Sequence, residues 1–253
     1  MDNQRYFIHL AFDGTNYCGW QRQKNATSIQ QEIEEKISIL LKKPIDITGC
    51  GRTDTGVHAS SFYAHFDFDP MPKQQLIILS YRLNHILPLD IAISEILPVK
   101  PEAHARYDAL WRTYRYYISL RKNPFTRNYR WFRSQCPDIE KMNQLAEILL
   151  AVKDFTSFFK LHSDTENNLC TLTQAFWEIR KDELVFTITA NRFLRNMVRA
   201  IVGTLWQLGK EENAVDHLRE IIAKRDRSAA GPSVNPHALF LEEIIYPDDI
   251  FLV

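Results

Sequence analysis

Residues 5–12 read RYFIHLAF, a run of aromatic and aliphatic side chains that predicts the first strand. The turn residues Asp13 and Gly14 end this run. A helix is predicted to open at Thr27-Ser28 and to continue to about Lys42, with Ser28 and Gln31 at the spacing of a capping box. Its apolar stripe consists of Ile29, Ile33, Ile37, Leu40 and Leu41.

Further segments on either side of the chain's midpoint complete the predicted fold. The first half continues with a strand at 45–50, a polar loop at 51–58, a strand at 61–68, a helix at 73–86 and an extended segment at 90–99. The second half gives a strand at 112–120, a helix at 138–151, a hairpin at 171–180 and 184–191, helices at 193–208 and 214–224, and a strand at 239–246. Both halves follow the order β-α-β-β-α-β, with the helix at 214–224 as an addition in the second half. We therefore predict an α+β chain of two ferredoxin-like halves with antiparallel sheets, residues 1–102 and 103–253.

Composition excludes several classes of protein. The chain has 253 residues, of which 45% are hydrophobic, 25% charged and 12% aromatic, as expected for a globular protein. No apolar run approaches the roughly 18–20 residues of a membrane span, and no secretory leader precedes the first strand. The four cysteines have no metal-ligand spacing, so we expect reduced thiols, a cytoplasmic location and neither a zinc site nor a disulfide framework.

The net charge of zero argues mildly against a nucleic-acid partner, but it conceals a local excess of positive charge. Residues 104–133 contain eight basic residues and one acid, Asp108. The same segment holds nine aromatic residues. Rings that stack on unpaired bases and guanidinium groups that hold phosphates are typical of RNA binding, although tyrosines on strands are more often packed in a core.

The strongest local signal is the loop Gly51-Arg52-Thr53-Asp54-Thr55-Gly56-Val57-His58-Ala59. Its glycines permit φ > 0 and close approach of a ligand, and it carries one carboxylate and one guanidinium. Taken alone, this pattern is explained about equally well by a turn in which Asp54 bonds its own backbone.

Two other segments offer partners for this loop. On the helix predicted at 193–208, Arg192, Arg195 and Arg199 share one face, and Arg199 lies beside the apolar face, where it needs an acid or a phosphate. A surface arginine that snorkels is the commoner outcome. On the strand at 112–120, alternation places Tyr114 and Tyr116 on one face and Tyr117 on the other.

Several motifs together resemble the tRNA pseudouridine synthases of the TruA type. They are the Asp54 loop, Asp13-Gly14-Thr15-Asn16-Tyr17 with Gly19-Trp20-Gln21-Arg22-Gln23, Asp154-Phe155-Thr156-Ser157-Phe158, and Phe193-Leu194-Arg195-Asn196-Met197-Val198-Arg199. They occur in order over nearly the whole chain. The resemblance implies isomerisation of uridine to pseudouridine in the anticodon stem-loop of tRNA, at positions 38–40, by a cytoplasmic homodimer without cofactor or metal.

The resemblance also implies roles for single residues in a cleft between the two halves. Asp54 matches the family's essential aspartate and Arg199 the basic residue that pairs with it. Tyr114 matches the tyrosine that packs on the target base. Arg52 matches the arginine that fills the gap left by the flipped nucleotide, and His58 is carried over with the loop as a substrate-binding residue.

Two rival functions remain open from the residues alone. Asp54-Thr55-Gly56 is also the triplet of aspartic proteases, but Gly51-Arg52-Thr53 replaces the apolar strand that should precede it. A non-catalytic RNA-binding module is the other alternative, and it leaves the Asp54 loop unexplained.

Overall fold

The structure is a computed structural model that describes residues 3–159 and 167–252. The chain divides into two compact units, residues 1–110 with 241–253 and residues 111–240. Helices and antiparallel strands occur in both units, which confirms the predicted α+β class. No helix in the described ranges is long and apolar enough to cross a membrane. The four cysteines all lie in these ranges, and none of them forms a disulfide.

The first unit is built on an antiparallel sheet with the strand order β4-β1-β3. In chain order its elements are β1 (Gln4–Phe12), α1 (Ile29–Leu41), β2 (Thr48–Gly49), β3 (His58–Phe68), α2 (Lys73–Ile86) and β4 (Ile91–Pro98). The chain returns to this unit in β9 (Leu239–Ile245), and β2 and β9 both pair with β3. The predicted β-α-β-β-α-β order is therefore present here. The halves 1–102 and 103–253 stay a prediction.

Helix α1 begins where the sequence predicts, because Ser28 caps it: the Ser28 Oγ accepts a hydrogen bond from the Gln31 backbone N–H at 3.2 Å. The Gln31 side chain donates from its amide nitrogen to a carboxylate oxygen of Glu35 at 2.9 Å. Three residues of the predicted stripe, Ile29, Ile33 and Ile37, are fully buried. Their burial anchors the helix in the core of the first unit.

The strand predicted at 45–50 is shorter, because side chains of α1 take two of its backbone donors. The Ile45 N–H donates to the Ser38 Oγ and the Ile47 N–H to a carboxylate oxygen of Glu34. Those two donors do not enter a sheet ladder. Thr48 and Gly49 pair with β3, and the Cys50 N–H donates to the Tyr63 carbonyl of that strand at 2.8 Å.

The second unit contains an antiparallel sheet with the order β5-β8-β7 and a short strand, β6, parallel to β5. Its elements are β5 (Trp111–Ser119), β6 (Trp131–Phe132), α3 (Ile139–Leu150), β7 (Leu172–Arg180), β8 (Glu183–Ala190), α4 (Met197–Leu208) and α5 (Ala214–Lys224). The predicted hairpin is confirmed, with Lys181 in the left-handed region at φ 57° in its turn.

The helix predicted at 193–208 begins four residues later than expected. Asn196 adopts φ 65°, a left-handed conformation that asparagine tolerates and a right-handed helix cannot contain. The Met197 N–H closes a turn onto the Leu194 carbonyl. Arg192 and Arg195 thus precede α4, and their predicted position on one helix face with Arg199 is wrong.

Candidate active site

The Asp54 loop connects β2 to β3 in the first unit. Asp54 is half-buried and Arg52 is exposed. The Val57 N–H donates to the Asp54 carbonyl at 3.1 Å, which closes a turn through Gly56 at φ 76°. The sequence predicted positive φ at Gly51 as well, but that residue does not adopt it. A Cβ at Gly51 would meet no atom within 4 Å, so this glycine borders open space.

The segment from Gly14 to Trp20 packs directly against the Asp54 loop. An added Cβ at Gly14 would lie 2.0 Å from the Val57 carbonyl oxygen, and one at Gly19 would lie 2.2 Å from the Thr53 carbonyl oxygen. Gly19 also adopts φ +97°. The Trp20 N–H donates to the Thr53 Oγ1 at 3.1 Å. The backbone on both sides of Asp54 therefore has a rigid support.

This supporting role is not predictable from the sequence. Gly14, Gly19 and Trp20 stand in the motif 13–23, which predicts the family but not a contact with the Asp54 loop. The spacing of two glycines around an aromatic residue gives no sign of which loop they face. Their contact with residues 53–57 is visible only once β1 and β3 are paired.

His58 is the first residue of β3, and its side chain is only 1% exposed. Its Nδ1 lies 2.9 Å from an Asp13 carboxylate oxygen and 3.1 Å from the Gly14 backbone nitrogen. The same carboxylate accepts from the Thr15 backbone N–H. His58 thus links the start of β3 to the turn that follows β1. Contact with substrate stays a prediction.

Arg52 borders a cleft of about 200 Å³ within the first unit. Gly51, Gln21 and Arg106 line the same cleft. Two guanidinium groups and an amide around a small opening suit an anion such as a phosphate. From the sequence, Arg106 is predictable only as one of the basic residues of the stretch 104–133.

Tyr114 and Tyr116 lie on the same face of β5, as predicted, but in different environments. Tyr116 is fully buried, its hydroxyl donates to the Asn235 carbonyl at 3.0 Å, and burial raises its pKa. Tyr114 is half-buried, and its ring packs edge-to-face on Phe193 with centroids 5.1 Å apart. Tyr116 is therefore a core residue, and Tyr114 has the more accessible ring.

Arg199 is the third residue of α4, because this helix begins at Met197 and not at the predicted residue 193. Its Nε donates to the Val234 carbonyl at 2.8 Å, and the Val234 N–H donates to the Arg199 carbonyl at 3.2 Å. The Asn196 side chain binds Ser233 at 2.6 Å. These bonds fix the guanidinium at the first turn of α4. The pairing of Asp54 with Arg199 stays a prediction.

The motif Asp154-Phe155-Thr156-Ser157-Phe158 has a structural role. Asp154 accepts a hydrogen bond at 3.0 Å from the N–H of Thr156, the first residue of a short 3₁₀ turn, and Phe155 and Phe158 are buried. The Ser157 hydroxyl donates to the Ile221 carbonyl at 2.6 Å, which ties the turn to α5.

Comparison with known proteins extends over both units. A family profile described as tRNA pseudouridine synthase matches residues 9–108 and 145–247. The tRNA pseudouridine synthase A of Parabacteroides distasonis is 48% identical over 250 residues, 99% of each chain. That of Porphyromonas gingivalis is 48% identical, covering 98% of this chain and 99% of its own, and that of Treponema denticola is 36% identical, covering 98% and 95%. With its Asp54 loop inside the matched region, this chain belongs to the tRNA pseudouridine synthase family.

Proposed function

We propose that this chain isomerises uridine to pseudouridine in the anticodon stem-loop of tRNA, at positions 38–40. The observation that carries the proposal is the full-length family match with Asp54 on a tightly supported loop beside the Arg52 cleft. The relatives bear the name of the same enzyme, a tRNA pseudouridine synthase, which supports an isomerase that acts on tRNA.

The reaction breaks the bond between N1 of the base and C1′ of the ribose. The base rotates, C5 bonds to C1′, the C5 proton leaves and N1 gains a proton, so the atoms balance without a co-reactant. Asp54 supplies the anion, as a nucleophile at C1′ or C6 or as the base of an elimination route. All three routes need a carboxylate held at a fixed position, which the supports from Gly14, Gly19 and Trp20 provide.

A uridine inside a stem must be extruded before a protein carboxylate can reach it, at a cost of a few kcal/mol. We assign Arg52 to the gap left by the flipped nucleotide, because it is exposed at the rim of a cleft suited to phosphate. We assign His58 to substrate positioning through the loop, since its buried ring holds Asp13 and Gly14.

In the second unit we assign Tyr114 to stacking on the flipped uracil and Arg199 to pairing with Asp54. The accessible ring of Tyr114 and the bonds that orient the Arg199 side chain support these roles. An arginine partner would favour the anionic form of the aspartate. The fold proposed with them consists of two ferredoxin-like halves, 1–102 and 103–253, that meet at a catalytic cleft, and the antiparallel β4-β1-β3 order supports the first half.

We further propose a cytoplasmic homodimer that binds tRNA across both subunits. The family resemblance is the main support. The basic stretch at 104–133 is also small for a whole tRNA. Light scattering at micromolar concentration should give twice the chain's mass of 29.7 kDa.

Tritium release from tRNA labelled at C5 of uridine tests the reaction. Asp54→Asn should abolish release and leave tRNA affinity nearly unchanged, because many phosphate contacts share the binding energy. The matched control is Asp46→Asn, an exposed aspartate of the same unit, which should release tritium normally. Substantial release by Asp54→Asn would refute the assignment. Binding without isomerisation by the native chain would favour an RNA-binding module, and peptide cleavage an aspartic protease.

A further inference from the structure

The loop between β5 and β6, residues 120–130, presents an aromatic ring to solvent. Phe125 is 91% exposed, against 54% for Leu169 and 56% for Ile179 in the same unit. A large aromatic ring is usually buried in a core. An exposed one indicates a binding role when the side chains around it suit the same kind of ligand. This ring lies outside the matched ranges 9–108 and 145–247.

The loop holds the ring in a defined place. The Asn123 side chain accepts from the Phe125 backbone N–H at 2.9 Å, and the Tyr129 N–H donates to the Thr126 carbonyl at 2.9 Å. At its end, Arg130 bonds Glu183 at 2.7 Å and lies over the Tyr117 ring at 4.1 Å. A ring carried on such a turn loses little conformational entropy when it binds.

The charge around Phe125 is positive. No aspartate or glutamate occurs from 109 to 137, and Arg121, Lys122 and Arg127 are all exposed. Arg121 contacts Asp182 at 3.4 Å, but both side chains are mostly in water, which makes the pair weak. Among residues 3–159 and 167–252, no carboxylate lies within ion-pair distance of Lys122 or Arg127.

We propose that the 120–130 loop is a second tRNA contact, in which Phe125 stacks on an unpaired base and Lys122 and Arg127 hold the flanking phosphates. The inference rests on the proposed function for the identity of its ligand. Aromatic rings beside cations are how proteins bind single-stranded RNA without base-specific hydrogen bonds. A protein partner would require a wider apolar patch with few lysines, whereas residues 121–123, 127 and 128 are polar and exposed.

The test compares three substitutions at one position in binding of an unmodified tRNA transcript by fluorescence anisotropy. Phe125→Ala and Phe125→Leu should each weaken binding about tenfold, and Phe125→Tyr should stay within about twofold, because only tyrosine keeps the stacking ring. Tritium release at saturating tRNA should be unchanged in all three. Lys122→Gln and Arg127→Gln should each lower the slope of log affinity against log salt by about 1. Ile179→Ala, an exposed apolar control, should bind as the native chain does.

Two results would overturn the proposal. One is native affinity in Phe125→Ala, or in Phe125→Leu, which would show that no base stacks on the ring. The other is a Phe125→Ala variant that binds tRNA with native affinity but sediments with a lower mass than the native chain. That result would make the loop a contact between proteins. Failure of the proposed function is distinguishable from both, since it would appear as absent tritium release by the native chain whatever the Phe125 variants bind.

Discussion

Gly14→Ala is expected to impair the enzyme although residue 14 reacts with nothing. The added Cβ would lie 2.0 Å from the Val57 carbonyl oxygen and 2.8 Å from its carbonyl carbon. Side-chain carbons essentially never approach a heavy atom within 3.0 Å. Both neighbours are backbone atoms, so a rotamer change cannot relieve the clash. The turn from Asp54 to Val57 must move away by about 1 Å.

From that displacement we estimate the expected losses of stability and of catalytic rate. Overpacking of this kind typically costs about 1–3 kcal/mol of unfolding free energy. For a chain of this size, each kcal/mol lowers Tm by roughly 2–4 °C, so we expect a fall of about 2–10 °C. A catalytic group misplaced by about 1 Å can lose on the order of 100-fold in rate. We therefore expect a large loss of catalytic rate at an assay temperature at which the variant is still folded.

Gly51→Ala is the matched control for stability. Gly51 lies in the Asp54 loop itself, has no positive φ, and a Cβ added there would meet no atom within 4 Å. Its Tm should stay within about 1 °C of the native chain, since glycine-to-alanine changes in compatible geometry are neutral to slightly stabilising. A thermal melt measures both variants. Tritium release from tRNA labelled at C5 then measures the rate of Gly14→Ala.

The reasoning fails if Gly14→Ala keeps the native Tm and the native rate. It fails equally if Gly51→Ala is as destabilising as Gly14→Ala. Either outcome would mean that the turn at residues 54–57 tolerates movement, and that the segment 14–20 does not set the position of Asp54.

Three more predictions follow from single contacts. Arg199→Ala loses the bond to the Val234 carbonyl, so its Tm should fall by a few degrees. Its rate of tritium release should fall at least about 100-fold while its tRNA affinity changes little. A fully active and stable variant would contradict the proposed pairing of Arg199 with Asp54. Tyr116→Phe removes the bond to the Asn235 carbonyl, so a denaturant titration should show an unfolding free energy lower by about 1 kcal/mol, with activity retained. Tyr114→Leu should lose activity and keep the native stability. The reverse pattern would move the base-stacking role to Tyr116. Burial lowers the pKa of His65 to about 4, so between pH 4 and pH 6.5 the folded chain binds fewer protons than the unfolded chain. The free energy of unfolding is therefore highest above about pH 6.5 and falls by up to about 3 kcal/mol towards pH 4. His65→Gln should flatten this part of a profile of stability against pH.

The bounds of two helices were predictable from the sequence. Helix α2 has the predicted bounds, and α5 matches its predicted range 214–224, because local periodicity and flanking turn residues suffice there. Two errors of extent have non-local causes, whereas β3 begins at His58, three residues before the strand predicted at 61–68. The strand predicted at 45–50 is shorter because Glu34 and Ser38 bind two of its backbone donors. Helix α4 begins late because Asn196, whose side chain binds Ser233, adopts a left-handed φ. Sequence patterns do not show such partners.

The candidate site, too, was predictable from the sequence only in part. Residue types, alternation and resemblance were enough to select Asp54 and to place Tyr114 and Tyr116 on one face. They were not enough to separate the two tyrosines, because the difference lies in distant contacts. Asn235 and Trp131 enclose Tyr116, while Phe193 contacts Tyr114 from one edge. The functional assignments of both residues stay predictions.

The position of Asp54 follows from the sheet more than from its own loop. The chain enters the loop after Gly49, which pairs with Ala64 of β3, and leaves it as His58, where β3 itself begins. Beside that strand end, the last pair of β1 and β3, Phe12 with Ala59, sets Asp13 next to His58. A slip of one residue in this register would reverse the faces of β3 and separate the two side chains. The segment after β1 can therefore support the Asp54 loop only in the native register, which gives the motif at 13–23 a physical reason to accompany the catalytic loop.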